Sequence, residues 1–212
     1  MSEQPKDKLE PESPDHGVTR RTFLKTSGLG AAAVTVLSTG VAALPNVMPK
    51  VIGPGAVPIT LKINGKALQT EVTPATTLAE ALRGPLNHTG TKVVCDRGAC
   101  SACTVWLDGT PVNSCMTLAV DVGNREVRTI EGLANGDALH PVQAAFIEHD
   151  ATQCGYCTPG MVMSCAALVE HNPNPTEADV RQATSGNLCR CGTYPKVFEA
   201  TLAAAGRKGR KA

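Results

Sequence analysis

Nine cysteines stand in this chain of 212 residues, and eight of them fall into two groups of four. The first group is Cys95, Cys100, Cys103 and Cys115; the second joins the pair Cys154 and Cys157 to the distant pair Cys189 and Cys191. Only Cys165 is left over. Thiolates in fours can hold iron–sulfur clusters or zinc, and in an exported chain they could instead form a disulfide framework. The spacing discriminates. Cys95-x4-Cys100-x2-Cys103 with a remote Cys115 reproduces the plant-type [2Fe-2S] arrangement, three ligands from one loop and the fourth from elsewhere. Zinc sites more often pair two short knuckles, and Cys189 and Cys191 sit too close in sequence for an easy disulfide. Between the first thiols lie Gly98, Ala99, Ser101 and Ala102, small enough for backbone to wrap closely around a compact group.

No catalytic constellation accompanies the thiols. His88, His140, His149 and His171 are scattered and read as surface or satisfied residues, and Asp137, Glu148 and Asp150 form no spaced pair. Cys165, on the apolar face of its helix, reads as a small buried hydrophobe. A formal net charge of +1 and no basic patch with interleaved aromatics give no reason to expect nucleic acid or an anionic membrane as partner. Aromatics are only 3% of the chain, so the core must be built from small and aliphatic side chains.

The elements that must position the thiols follow from local patterns. Residues 58–63 and 67–72 alternate around Asn64-Gly65, a hairpin signal. Thr76 or Thr77 caps a short helix carrying Leu78, Ala81 and Leu82, which Gly84-Pro85 stops. Residues 104–107 form a strand, Asp108-Gly109 turns, a return strand delivers Cys115, and residues 126–130 add one more strand. After Gly132 the pattern is helical: 141–149, 159–171, a third helix capped by Thr176 with Asp179 in the capping-box position, and 195–205. The expected fold is therefore α+β, a ferredoxin-like β-grasp over 57–132 and an all-α domain over 133–206, with a solvated basic tail over 207–212.

Residues 1–56 read as an address and linker. Arg20-Arg21 within residues 19–25 supplies a twin-arginine signal, and the apolar segment 28–43, about 16 residues, falls short of the roughly 20 that span a bilayer. Small residues at Val41, Ala42 and Ala43 offer a cleavage site. The expectation is export to the periplasm in folded form, with no membrane anchor, so that clusters are loaded where thiols stay reduced.

The segments from Gln153 to Met161 and from Gly186 to Cys191 closely resemble the iron–sulfur subunit of the molybdenum hydroxylases, the xanthine dehydrogenase and aldehyde oxidase family, and residues 95–105 match that family's first cluster loop. The likeness covers about residues 57–205. It implies a plant-ferredoxin domain followed by a four-helix bundle, each holding one [2Fe-2S] cluster: Cys95, Cys100, Cys103 and Cys115 for the first, Cys154, Cys157, Cys189 and Cys191 for the second. It further implies a large molybdenum-binding subunit and an FAD-binding subunit in a heterotrimer, with Gln153 and Cys191 near the molybdenum-pterin cofactor of the large one. The substrate it suggests is an aldehyde, and purines or N-heterocycles are the other substrates open to the family. Two departures stand out: Ser101 where the motif usually has Gly, and Gly192-Thr193 where Thr-Gly is commoner. Two other readings predict different molecules, a free-standing two-cluster carrier and a colourless structural zinc protein.

Overall fold

The computed structural model describes residues 53–208 and, apart from these, Arg21 alone. The expected export signal otherwise lies outside the described residues, as do the last four residues of the basic tail.

Strands β1 (Val57–Ile63) and β2 (Lys66–Val72) pair antiparallel with Ile63 opposite Lys66. That register leaves Asn64 and Gly65 as a two-residue turn, and their φ values of 50° and 76° are the mirror-image geometry that Asn-Gly tolerates. Helix α1 (Leu78–Arg83) begins at Thr77, whose N–H donates to the Glu80 carboxylate at 2.7 Å while its hydroxyl accepts from the Glu80 N–H. Strands β3 (Thr104–Leu107) and β4 (Thr110–Asn113) form a second hairpin. Strand β5 (Glu126–Arg128) inserts between the hairpins, parallel to β1 and antiparallel to β3, which gives the order β2-β1-β5-β3-β4.

All four residues of β3 are buried, because this strand has a layer on each face. Val105 and Leu107 join Leu61, Ile63, Leu78, Leu82 and Val127 beneath α1. Trp106, one residue out of phase, turns to the other face and enters a core made by the helices. Its indole N–H donates to the Met163 carbonyl at 3.0 Å, and the Arg128 guanidinium lies 5.2 Å above its ring.

Four helices follow: α2 (Pro141–Glu148), α3 (Thr158–His171), α4 (Glu177–Ala183) and α5 (Tyr194–Lys208). Helix α3 is buried over Gly160–Ala167 and at Val169, and it packs on β3 and on each of the other three helices. A helix apolar all round has to be central. Cys165 lies fully buried on it, as expected of a small hydrophobe. Among the described residues no helix is long and apolar enough to cross a membrane.

Three boundaries differ from expectation. The last strand ends at Arg128, because the Thr129 N–H goes to the Asn64 side chain at 2.9 Å and a 3-10 turn, Ile130–Gly132, takes over. Cys115 sits in another 3-10 turn, Ser114–Met116, just past β4. Helix α5 continues through Gly206 to Lys208, into the expected tail.

Sheet and helices meet most tightly at Gly160, in the first turn of α3. A Cβ there would run into the Ser101 carbonyl and come within 3.0 Å of Ala102 Cα and its carbonyl oxygen. Backbone on the far side cannot yield as a flexible side chain would. Gly160→Ala is therefore expected to destabilise by about 1–3 kcal/mol, the usual cost of overpacking, and thermal melting with cluster absorbance as the probe checks it.

Candidate metal centres

The first four thiols lie on the loop between α1 and β3 and on the turn after β4. Three residues of the loop, Asp96, Gly98 and Ser101, have left-handed φ values of 52°, 70° and 51°. The resulting curl turns N–H groups inward, where an anionic sulfur can accept them. Ala99 N–H donates to Cys95 Sγ at 3.3 Å and Gly98 N–H to Cys115 Sγ at 3.3 Å. Hydrogen bonding from the Arg97 N–H, chiefly, lowers the Cys95 thiol to about 7 despite some desolvation. Burial instead pushes Cys115 up to about 11, with the neighbouring Cys103 adding to it.

The approach to this loop is clamped. Arg83 donates to the carbonyls of Thr89 and Thr91 at 2.8 and 2.7 Å, and the Glu131 carboxylate accepts from Gly90 N–H at 2.8 Å and from the Thr129 hydroxyl at 2.6 Å.

The second four thiols lie at helix N-termini. Cys157 is the N-cap residue of α3, with Cys154 a turn before it, while Cys189 and Cys191 lie just before α5. Two positive helix ends therefore lie beside this group, a favourable place for negative charge. Burial, followed by the neighbouring Cys189, pushes Cys157 up to about 12. Cys189 also loses solvation, but hydrogen bonds from the Thr193 hydroxyl and N–H outweigh that and bring it down to about 7.

The thiols come together in twos. Cys95 lies beside Cys100, Cys103 beside Cys115, Cys157 beside Cys189, and Cys154 beside Cys191. Among the described residues no three Cys, His, Asp or Glu side chains close on a single point. One zinc ion needs such a convergence of four; a [2Fe-2S] cluster has two irons and shares four thiolates between them. The donor sets fit two such clusters.

The loops of the two groups touch directly. Leu188 N–H donates to the Cys100 carbonyl at 3.1 Å, and the Asn187 side chain donates to the Ser101 carbonyl at 3.1 Å. Beside this joint lies a groove of about 540 Å3 lined by residues of both tetrads, with Val94, Tyr156 and Leu188 exposed at its rim. Gln153, Cys154 and Cys191 form the exposed outer edge of the second group. The sequence assigns no role to Asn187, Leu188, Thr193 or Tyr194 in positioning the thiols, although Asn187 and Leu188 fall within the segment 186–191 that carries the resemblance and Thr193 within the reversed Gly-Thr order. The histidines serve structure: His140 caps α2, His88 and His171 bond to the carbonyls of Leu86 and Ala167, and His149 faces Glu199 at 3.9 Å.

Comparison with known proteins agrees with this geometry. Residues 61–129 match the 2Fe-2S iron-sulfur cluster binding domain and residues 129–202 the [2Fe-2S] binding domain. The aldehyde oxidoreductase iron-sulfur-binding subunit PaoA of Escherichia coli O157:H7 is 44% identical, over 92% of this chain and 91% of its own. The nicotine 6-hydroxylase small subunit of Paenarthrobacter nicotinovorans is 46% identical over 73% of this chain and 93% of its own. Among solved structures, quinoline 2-oxidoreductase from Pseudomonas putida 86 superposes with a TM-score of 0.70 at 41% identity, covering 74% of this chain and 99% of that one. The aldehyde oxidoreductase of Desulfovibrio desulfuricans gives 0.69 at 42% identity, covering 73% of this chain and 18% of that longer one. The fold and the paired thiols define a non-catalytic, electron-transfer component of an oxidoreductase, carrying two [2Fe-2S] clusters. The chain belongs to the iron–sulfur subunits of the molybdenum hydroxylase family.

Two outcomes follow from the first loop. Ser101 holds a left-handed conformation that costs a side chain about 1–3 kcal/mol, and glycine there gives back roughly 0.4–1 kcal/mol through its freer unfolded state. Ser101→Gly should thus raise the melting temperature, with the clusters retained. The Glu131 carboxyl lies below its ordinary value of 4.5: partial burial opposes ionisation, but the Thr129 hydroxyl, its own N–H, the Gly90 N–H and the nearby His88 outweigh it. A lowered folded-state pKa means that this stabilisation is complete above the ordinary value and is lost as pH falls through the folded one. The stability advantage of the protein over its Glu131→Gln variant should therefore shrink as pH falls below the ordinary value of 4.5, and denaturant melts on either side of it measure the loss.

Proposed function

We propose that this chain is the electron-transfer subunit of a periplasmic, molybdenum-dependent aldehyde oxidoreductase. Electrons released at a molybdenum-pterin site in a large partner subunit pass through it to FAD in a third subunit, or to an external acceptor. The observation that carries the reading is the direct joint between the two tetrads, Leu188 N–H to the Cys100 carbonyl at 3.1 Å. Because Leu188 is bonded to Cys189, only one non-covalent link separates a backbone of the first group from a backbone of the second.

When bound, each cluster supplies a site that accepts and returns one electron. The chain's residues do the rest. Cys95 with Cys100 and Cys103 with Cys115 would hold the first cluster; Cys154 with Cys191 and Cys157 with Cys189 would hold the second. In this reading the helical domain, residues 133–206, is a four-helix bundle that brings two loops together, and the ferredoxin-like domain, residues 57–132, supplies the first site. Gln153 and Cys191, on the exposed edge, face the pterin of the large subunit, which completes a heterotrimer with the FAD subunit. Burial, directed N–H groups and helix ends tune both sites.

Two observations support the finer points. The likeness to an aldehyde oxidoreductase subunit reaches over 92% of the chain, and so well into the segment before residue 53, where the Arg20-Arg21 pair lies. An exposed Gln153 and Cys191 leave the second site open to a partner.

Purified at native expression level, the protein should be coloured and accompanied by molybdenum and flavin subunits, and Arg20→Lys with Arg21→Lys should hold it in the cytoplasm. In the complex, Cys191→Ser should disturb one of the two EPR signals and lower aldehyde turnover by about tenfold or more, the range of changes next to a metal ligand. Unchanged signals and turnover in that variant would remove the assignment; purification without partners would favour a free carrier.

A further inference from the structure

We propose that Thr193 sets the reduction potential of the second cluster by donating its hydroxyl to Cys189 Sγ. The inference rests on Cys189 being a ligand of that cluster. Thr193 Oγ1 lies 3.1 Å from Cys189 Sγ, and the Thr193 N–H approaches the same sulfur at 3.5 Å. A sulfur bound to iron carries no proton, so within that pair the hydroxyl is the donor. Thr193 is 6% exposed, so its hydroxyl is shielded from water, beside a Cys189 that is itself partly buried.

The arrangement is braced from behind. Cys189 N–H donates to the Tyr194 hydroxyl at 2.9 Å, and that hydroxyl donates to the Asn187 carbonyl at 2.9 Å, so the backbone carrying the sulfur cannot rotate away from Thr193. Gly192, with φ 78°, turns the chain so that residue 193 returns over the sulfur of residue 189. With the commoner Thr-Gly order, glycine would occupy position 193 and no hydroxyl would stand in this place. The device therefore belongs to the position at which this chain departs from the commoner motif. Two of the other three thiols of the group differ, since Cys154 and Cys191 are exposed to solvent.

One-electron reduction adds one negative charge to the cluster and its sulfurs and moves no proton, so the Thr193 hydrogen stays on its oxygen. A donor already aimed at a sulfur stabilises the reduced form more than the oxidised one, because a charge-assisted hydrogen bond is the stronger. Hydrogen bonds to cluster sulfurs are among the established determinants of potential. Thr193 thus holds the second cluster at a higher potential than the same ligands would give alone.

The test is an EPR-monitored redox titration of the intact complex, with dithionite as reductant, on the wild type, Thr193→Val and Thr193→Ser. Valine keeps the shape and the N–H but removes the hydroxyl. The expected result is a shift of the second-cluster midpoint to lower potential in Thr193→Val, its return in Thr193→Ser, and a first-cluster midpoint that stays put in both. Equal second-cluster midpoints in wild type and Thr193→Val overturn the proposal. Should Thr193→Val lose the second cluster, Thr193→Ala makes the same comparison, and loss from both would show an assembly role and overturn the proposal as stated. Cys189→Ser is run beside them: a second-cluster signal untouched by that change overturns the ligand assignment itself, a failure distinct from unmoved midpoints.

Discussion

The structure depends on one joint, where the loop before α5 meets the loop before β3. Leu188 and Asn187 give hydrogen bonds to the carbonyls of Cys100 and Ser101, and Gly160 lets the first turn of α3 lie against the same backbone. Neither half can complete this arrangement alone. Trp106 pins the other end of the contact, and it is the single tryptophan of a chain poor in aromatics. A large ring buried with its N–H satisfied is a costly thing to remove, of the order of 3–5 kcal/mol for truncation. Rigidity is therefore concentrated where two redox sites have to keep a fixed separation.

The second constraint is charge. Four thiolates and an inorganic core make an anion that must be held in a partly buried place, beside Arg97 in the first loop and Arg190 in the second. Backbone adds to the compensation. In the first loop, left-handed residues turn N–H groups toward Cys95 and Cys115; in the second group, the N-terminal ends of α3 and α5 do similar work with aligned dipoles. The opposing shifts of Cys157 and Cys189, one up to about 12 and the other down to about 7, show how local this balance is, since the two thiols are neighbours. Desolvation acts on both, but only Cys189 has a side-chain hydroxyl aimed at it.

Much of this was legible in the sequence where the signal is local. Asn64-Gly65 named its own turn, Thr176 with Asp179 named its helix start while the first helix left Thr76 and Thr77 both open, and the cysteine spacing named the type of centre. What could not be read is what depends on partners distant in the chain. Strand β5 was expected two residues too long because the Asn64 side chain, 65 residues away, takes the hydrogen bond of Thr129. The joint at Leu188 and Cys100 joins residues 88 positions apart and has no pattern of its own. Ser101 looked like a departure from a motif, and its φ of 51° supplies the reason glycine is usual there.

The two sites differ in what they present to the outside. Cys100, Cys103 and Cys115 are buried, so the first group is reached mainly past Cys95 and the groove it lines; Cys154 and Cys191 stand at the surface beside Gln153. An exposed thiolate pair is easily solvated, and water next to a cluster changes its potential and invites loss of metal. Cover from a second surface would limit both effects at a site of this kind. The outer edge of the second group is therefore the part of this chain least finished on its own, and the inner half, Cys157 and Cys189 with Thr193 over the sulfur, is the part already complete. The asymmetry places the adjustable environment on the chain's own side of the group and leaves the other side open to solvent.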